Sequence, residues 1–306
     1  MSADRRRVAV IQWRFAWATA DDAWTNEWAC WIGQAATCGA QLVVLPAHTG
    51  DALLARQRPE LGHLSLRTGL DQAWRTSLPD QERASQGQRL WQDYQGIFSR
   101  LAAQHGIVLA AGSLLLPAAD GRLYHQAALF DTQGELMGSQ RACHRSAAER
   151  ALRVAAGEQL TVFDTAVGRL GLIVGEDLYY PEVARVLALH GAAAFLAPTQ
   201  RRFGGEAGLL AGLWRDVQGN QAFGLEACLV DPETAPIQSL GSHILGPAEL
   251  TEDTRGVIAH AATGSDTEVV VGDLDWAARR QLLMDYDITR YFNPRLYVGQ
   301  LLEAYP

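Results

Sequence analysis

Hydrophobic positions along this chain switch between runs of strand length and stripes at helical spacing, which predicts strands and helices in alternation. Arg7-Val-Ala-Val-Ile-Gln-Trp13 and Gln41-Leu-Val-Val-Leu-Pro46 read as buried strands, and the proline ends the second in a loop holding Ala47 and His48. Between them Trp24, Trp28, Trp31 and Ile32 recur at helical spacing, with Thr19 placed to cap the helix and Gly39 to end it. This tryptophan stripe reads as core or subunit contact rather than a ligand platform. Residues 51–86 are polar, irregular and rich in Arg and Gln, and are expected to form a surface excursion. A helix is predicted over 88–105, with Leu90, Tyr94, Ile97 and Leu101 on one face and Gly106 as its stop.

The second half repeats the pattern. Strands are expected at Ile107–Gly112 and Leu123–Asp131, and the turn Asp131-Thr-Gln-Gly134 then leads into Glu135-Leu-Met-Gly138. Gly168-Arg-Leu-Gly-Leu-Ile-Val-Gly175 is an apolar strand that breaks at a glycine. The chain turns through Glu176-Asp-Leu-Tyr-Tyr180 and enters a helix at Pro181, where a missing N–H costs nothing. Further elements are expected at Phe195–Thr199, a helix over 207–222, Leu225–Val230, Gly241–Pro247 and Glu268–Asp275. Helices interleaved with strands make an α/β layered domain, and all 306 residues fit one such unit.

Composition narrows the function. A net charge of −8 argues against holding a nucleic-acid backbone or an anionic membrane by bulk electrostatics. No apolar run approaches the roughly 18 residues of a membrane span, and Met-Ser-Ala-Asp-Arg-Arg-Arg is not a signal peptide, so a cytoplasmic location is expected. Cys30, Cys38, Cys143 and Cys228 have no metal-ligand or disulfide-framework spacing, and no metal or cofactor is called for. All 26 basic residues are arginine, which excludes any mechanism that needs a lysine amine.

The order of these pieces resembles the nitrilase, or carbon–nitrogen hydrolase, superfamily. The resemblance rests on Val-Ala-Val-Ile-Gln, Leu-Val-Val-Leu-Pro, the Asp-x-x-Gly-Glu-Leu hairpin, the turn at Gly175 with Asp177, Pro181 and Glu182, Leu-Ala-Pro-Thr, Gly-Asn220-Gln, Gly-Ser-His-Ile-Leu-Gly-Pro and Asp-Leu-Asp. It implies a four-layer α-β-β-α sandwich and pairing into a homodimer or higher homo-oligomer. It also implies a glutamate base, an oxyanion-binding lysine and a cysteine nucleophile. In this chain those positions hold Ala47, Ala142 and Gly175. A second acid found in many members is missing from Ser113-Leu-Leu-Leu116.

A thiol attacks only when a base deprotonates it and fixed donors stabilise the developing charge, so the family's covalent route is expected to be lost. The leading expectation is an inactive homologue that binds a small molecule in the vestigial pocket or serves as a partner subunit. The alternative is an amidase-type hydrolase with relocated residues: Cys143 as nucleophile, His48 as base and Glu176 orienting it. Arg141, His144, Asp177, Tyr179 and Asn220 are the further pocket candidates. Asp177, Pro181 and Glu182 also suit a structural role at the helix start, and Glu176 an ion pair with Arg141 or a histidine.

Overall fold

The computed structural model describes all residues except 1–3, 20–21, 75–78, 202–204, 233–240, 302 and 304–306. Two β-sheets meet at the strand that opens the chain. The first contains β1 (Arg5–Arg14), β2 (Leu42–Val44), β3 (Val108–Pro117), β4 (Leu123–Phe130), β5 (Leu136–Arg141) and the short β6 (Val154–Ala155). The second contains β7 (Val162–Thr165), β8 (Gly168–Leu172), β9 (Ala194–Thr199), β10 (Phe223–Val230), β11 (His243–Leu245) and β12 (Val257–His260). Strand β13 (Glu268–Asp275) returns antiparallel along β1 from Arg5 to Gln12, and the last two residues of β1 pair in parallel with Leu229 and Val230 of β10.

The alternation of side chains explains why this stacks into four layers. Val8 and Val10 of β1, with Leu42 and Val44 of β2, point into a shared core against Leu170, Leu172, Leu196 and Leu225 of the second sheet. Ala9, Ile11 and Trp13, with Val43 and Leu45, point outward against helices α1 (Ala23–Thr37) and α4 (Asp80–His105). On the far side Phe195 and Ala197 meet α6 (Pro181–Leu189) and α8 (Leu213–Asn220) through Leu187, Leu213 and Val217. Residues one apart thus serve different layers, giving the α-β-β-α sandwich. The tryptophan stripe is core: Trp28 is fully buried, 5.1 Å between ring centroids from Trp13, and Trp24 lies 6.2 Å from Phe98.

Four expectations need correction. Residues 51–86 are not an irregular surface excursion where they are described. They fold into 3₁₀ turns at Asp51–Leu53 and Pro59–His63 and helices α2 (Leu54–Gln57) and α3 (Leu66–Ala73), anchored by buried Leu53, Leu54, Leu61, Leu66, Leu70 and Trp74. Each piece is too short for a periodic stripe to stand out among its Arg and Gln residues. Helix α4 begins at Asp80 rather than 88, its first turns being polar and largely exposed. The helix expected over 207–222 is two, α7 (Gly205–Ala211) and α8, parted at Gly212. In addition, α1 begins after Asp22, so Thr19 is not its cap.

A bulge in the β3–β4 pairing falls between Ala110 and Ser113 and turns Ser113 toward the site. Gly112 makes the bulge with φ +76°, and a Cβ there would stand 2.3 Å from the Pro46 carbonyl oxygen. Gly112→Ala is therefore expected to lower the unfolding free energy by about 2–4 kcal/mol, the left-handed and overpacking costs together. Gly121→Ala, with φ +77° but open space around it, should show only the smaller backbone cost of about 1–2 kcal/mol. Equal losses by chemical denaturation would remove the packing role assigned to Gly112.

Candidate functional site

The loops after β2, β8 and β9 converge with α3, β4 and helix α5 (Ala147–Ala151) around a cavity of about 260 Å³. Ala47 and Gly175 are part of its wall. Ala142 is buried beside it, and its N–H donates to the His125 carbonyl at 2.8 Å. Gly175 has φ +59°, a left-handed turn that glycine adopts freely and that starts the 3₁₀ segment Gly175–Tyr179 ahead of α6.

The space where a side chain at Gly175 would begin is occupied. A Cβ built there would lie 2.9 Å from Nδ1 and 3.0 Å from Cε1 of His125. That imidazole is buried and held at both nitrogens: Nδ1 to Glu149 Oε1 at 2.6 Å and Nε2 to Ser113 Oγ at 2.7 Å. Glu149 is fixed in turn by a capping box at the start of α5, in which Ser146 Oγ accepts the Glu149 N–H and Glu149 Oε2 accepts the Ser146 N–H.

Burial alone would push the Glu149 carboxyl up and the His125 imidazole down. Their mutual hydrogen bond and charge outweigh this, holding Glu149 at about 2 and raising His125, with help from Asp51 and Asp177. Both shifts favour the charged form of the pair.

Ser113, His125 and Glu149 stand in the order of a serine triad, but the arrangement cannot act as one. Ser113 is fully buried and outside the cavity wall, where no substrate reaches it, and its Oγ accepts the His48 N–H at 3.1 Å. These three residues form a plug. Sequence reading missed them, although Ser146-x-x-Glu149 is a visible capping signal. Ser113–Leu116 carries no acid, as expected, yet the site has one from α5.

The relocated trio is split. His48 and Glu176 line the cavity, while Cys143 lies outside its wall. The Cys143 N–H donates to both Asp177 oxygens at 3.0 and 2.9 Å, and burial, then the Asp177 charge, push its thiol up to about 11. A thiol that holds its proton so tightly is a poor nucleophile. His48 is oriented by Asp51, which the sequence reading also missed: Nδ1 lies 2.8 Å from Asp51 Oδ2, and Oδ1 accepts the Leu115 N–H at 3.0 Å. The His48 backbone is left-handed, φ 57°, and its ring stacks on His125 with centroids 5.0 Å apart.

None of the other candidates belongs to the cavity wall. Asp177, fully buried, ties the β5–α5 loop to the turn by accepting from the His144 N–H and bonding its Nδ1, each at 2.8 Å. His144 stacks on Tyr180 at 3.5 Å. The Arg141 guanidinium lies 3.9 Å over the Tyr124 ring and lines a separate polar cleft. Tyr179 stands within electrostatic range of Arg201, and the Asn220 amide nitrogen donates to the Asp216 carbonyl at 2.8 Å.

Arg201, unforeseen, does line the cavity, from the end of β9. Its guanidinium makes two 2.6 Å bonds to fully buried Glu226 and approaches His243 Nδ1 at 3.1 Å. Burial and then that positive charge hold His243 down at about 4, so it is neutral and accepts. Among the described residues no group of His, Cys, Asp and Glu could hold a metal ion.

The plug makes stability depend on pH. Lowered in the fold, Glu149 contributes stability that is complete above its ordinary 4.5 and lost as pH falls toward about 2. Raised in the fold, His125 contributes stability that is complete below its ordinary 6.5 and lost as pH climbs past its higher folded value. The gap in unfolding free energy between the protein and Glu149→Gln should therefore be widest between pH 4.5 and 6.5, at about 3–5 kcal/mol, and narrow on both sides. A gap that stays flat with pH in denaturant titrations would contradict the ion pair.

Comparison with known proteins matches the observed fold. The human omega-amidase NIT2 is 23% identical over 306 residues, covering 96% of this chain and 98% of NIT2. A Bacillus subtilis protein named a probable hydrolase, YhcX, is 29% identical over 191 residues, covering 60% of this chain but spanning only 36% of the relative. A crystal structure of a carbon-nitrogen hydrolase from Helicobacter pylori superposes with a TM-score of 0.73 at 21% identity, covering 97% of this chain and 98% of that one. The model of the carbon-nitrogen hydrolase family matches residues 7–281, and the chain belongs to that family.

Proposed function

We propose that this family member has given up thiol-dependent C–N bond cleavage and uses the remaining cavity to bind a small molecule. One observation carries the reading: the volume that a side chain at position 175 would claim is filled by the buried imidazole of His125, already committed to Glu149 and Ser113. A lost nucleophile alone would leave a hole that one substitution could refill. Here the replacement is built in, and the base and oxyanion positions are reduced to Ala47 and Ala142. Groups that act as a unit fail together, so no step of the covalent route has a residue to perform it. The open volume beside the plug, with His48, Glu176, Gln200 and Arg201 on its wall, favours ligand binding over a filled, purely structural scaffold.

The His48–Asp51 pair supports one second reading. A carboxylate holding Nδ1 leaves Nε2 without a partner among the described residues, on a ring that lines the cavity. Such a ring could activate water without any thiol.

Purified protein is expected to release no ammonia from a panel of nitriles and simple amides. The Ala47→Glu/Ala142→Lys/Gly175→Cys variant should also stay inactive, and Gly175→Cys alone should cost about 1–3 kcal/mol through its clash with His125. Turnover by the unaltered protein would overturn the main reading, and its loss in His48→Ala would establish the second.

A further inference from the structure

This inference rests on the binding role proposed above and concerns what the cavity holds. Helix α3 presents two stripes to it: Leu66 and Leu70 in one, Arg67 and Asp71 in the other. Residues four apart lie on one face of a helix, roughly 5–6 Å between Cβ atoms. The leucines are buried and the two charged residues stand exposed at the rim. Arg67 precedes Asp71, the weaker order for a pair along a helix, and no ion pair joins them. Among the described residues neither has a hydrogen bond or salt bridge of its own.

A guanidinium and a carboxylate one turn apart, above an apolar wall, complement a ligand that carries a carboxylate and an ammonium on one carbon. We propose that the cavity takes a single free α-amino acid, its carboxylate on Arg67, its ammonium on Asp71, and its side chain running down past Leu70, Leu115 and Leu152. At about 260 Å³ the cavity lies below the range of drug-sized sites and suits one amino acid rather than a peptide. Specificity follows from the charges that do not match. A simple acid brings its charge against Asp71, and a simple amine brings its charge against Arg67, so each monofunctional analogue meets a penalty that the zwitterion escapes.

The test titrates the full chain calorimetrically with L-leucine, with 4-methylpentanoic acid (leucine without its ammonium) and with 3-methylbutylamine (leucine without its carboxylate). L-Leucine is expected to bind at least about tenfold more tightly than either analogue, the worth of one charge-assisted hydrogen bond. Arg67→Gln should make leucine and the amine bind alike, and Asp71→Asn should do the same for leucine and the acid. Both side chains are exposed, so neither variant threatens the fold. Equal binding of all three probes, a ranking unchanged in the two variants, or no binding at all would overturn the proposal. L-Glutamine separates it from the reading it rests on. Ammonia released from bound glutamine would sink the loss of hydrolysis while leaving the zwitterion ranking in place, and failure to bind leucine would do the reverse.

Discussion

A buried hydrogen-bonded pair, His125 with Glu149, fixes what this site can be. Two opposite charges in a protein interior are tolerated only if each remaining hydrogen-bonding position is met, because the cost of removing them from water is large. Both nitrogens of His125 are engaged, and Glu149 takes the N–H at the start of α5 with its other oxygen. The pair therefore joins strand β4 to helix α5, and through Ser113 to the bulge in β3. Through Gly175 it also determines the first turn after β8. A larger side chain placed at that turn would have to displace His125 from its two partners, which is a greater obstacle than filling a void.

The bulge at Gly112 and the turn at Gly175 cooperate. The left-handed backbone at Gly112 aims the Ser113 hydroxyl toward both the His48 N–H and His125 Nε2. The left-handed backbone at Gly175 leaves room for the other edge of the His125 ring. Asp177, two residues further along, binds the loop of Cys143 and His144 with three hydrogen-bond donors from two residues. One short turn thus anchors two walls of the site. This explains why the carboxylate of Asp177 is fully buried without being part of the cavity.

The residue pattern showed only an α/β layered domain, and the four layers came from the resemblance; the structure supplies their reason, since Val8 and Val10 serve one core and Ala9 and Ile11 another. Ala47, Ala142 and Gly175 were marked out only by the resemblance, whose motif spacing points to those positions. The histidine packed against Gly175 was not. His125 lies in a strand with every residue buried, where a histidine carries no periodic signal. Its partner Glu149 comes from an exposed-looking helix 24 residues later, and such a long-range pairing is invisible to local pattern. The separation of Cys143 from His48 and Glu176 was hidden for a related reason: Cys143 lies two residues past the end of β5, where its N–H is held by Asp177 outside the cavity wall.

The distribution of charge bears on the choice between binding and catalysis as directly as the residue at position 175 does. A nucleophilic site needs one group with a reactive lone pair and a neighbour waiting for its proton. Here the inner charges are already matched: His125 with Glu149, and Arg201 with Glu226 through two short bonds. His243, next to Arg201, is kept neutral. A polar interior satisfied in this way is rigid and offers a ligand fixed walls rather than a proton to exchange. Unmatched charge is pushed outward to the rim, where Arg67 and Asp71 stand on α3 in a segment that composition alone marked as peripheral. The cavity thus combines a floor of matched charges with a rim whose Arg67 and Asp71 are exposed.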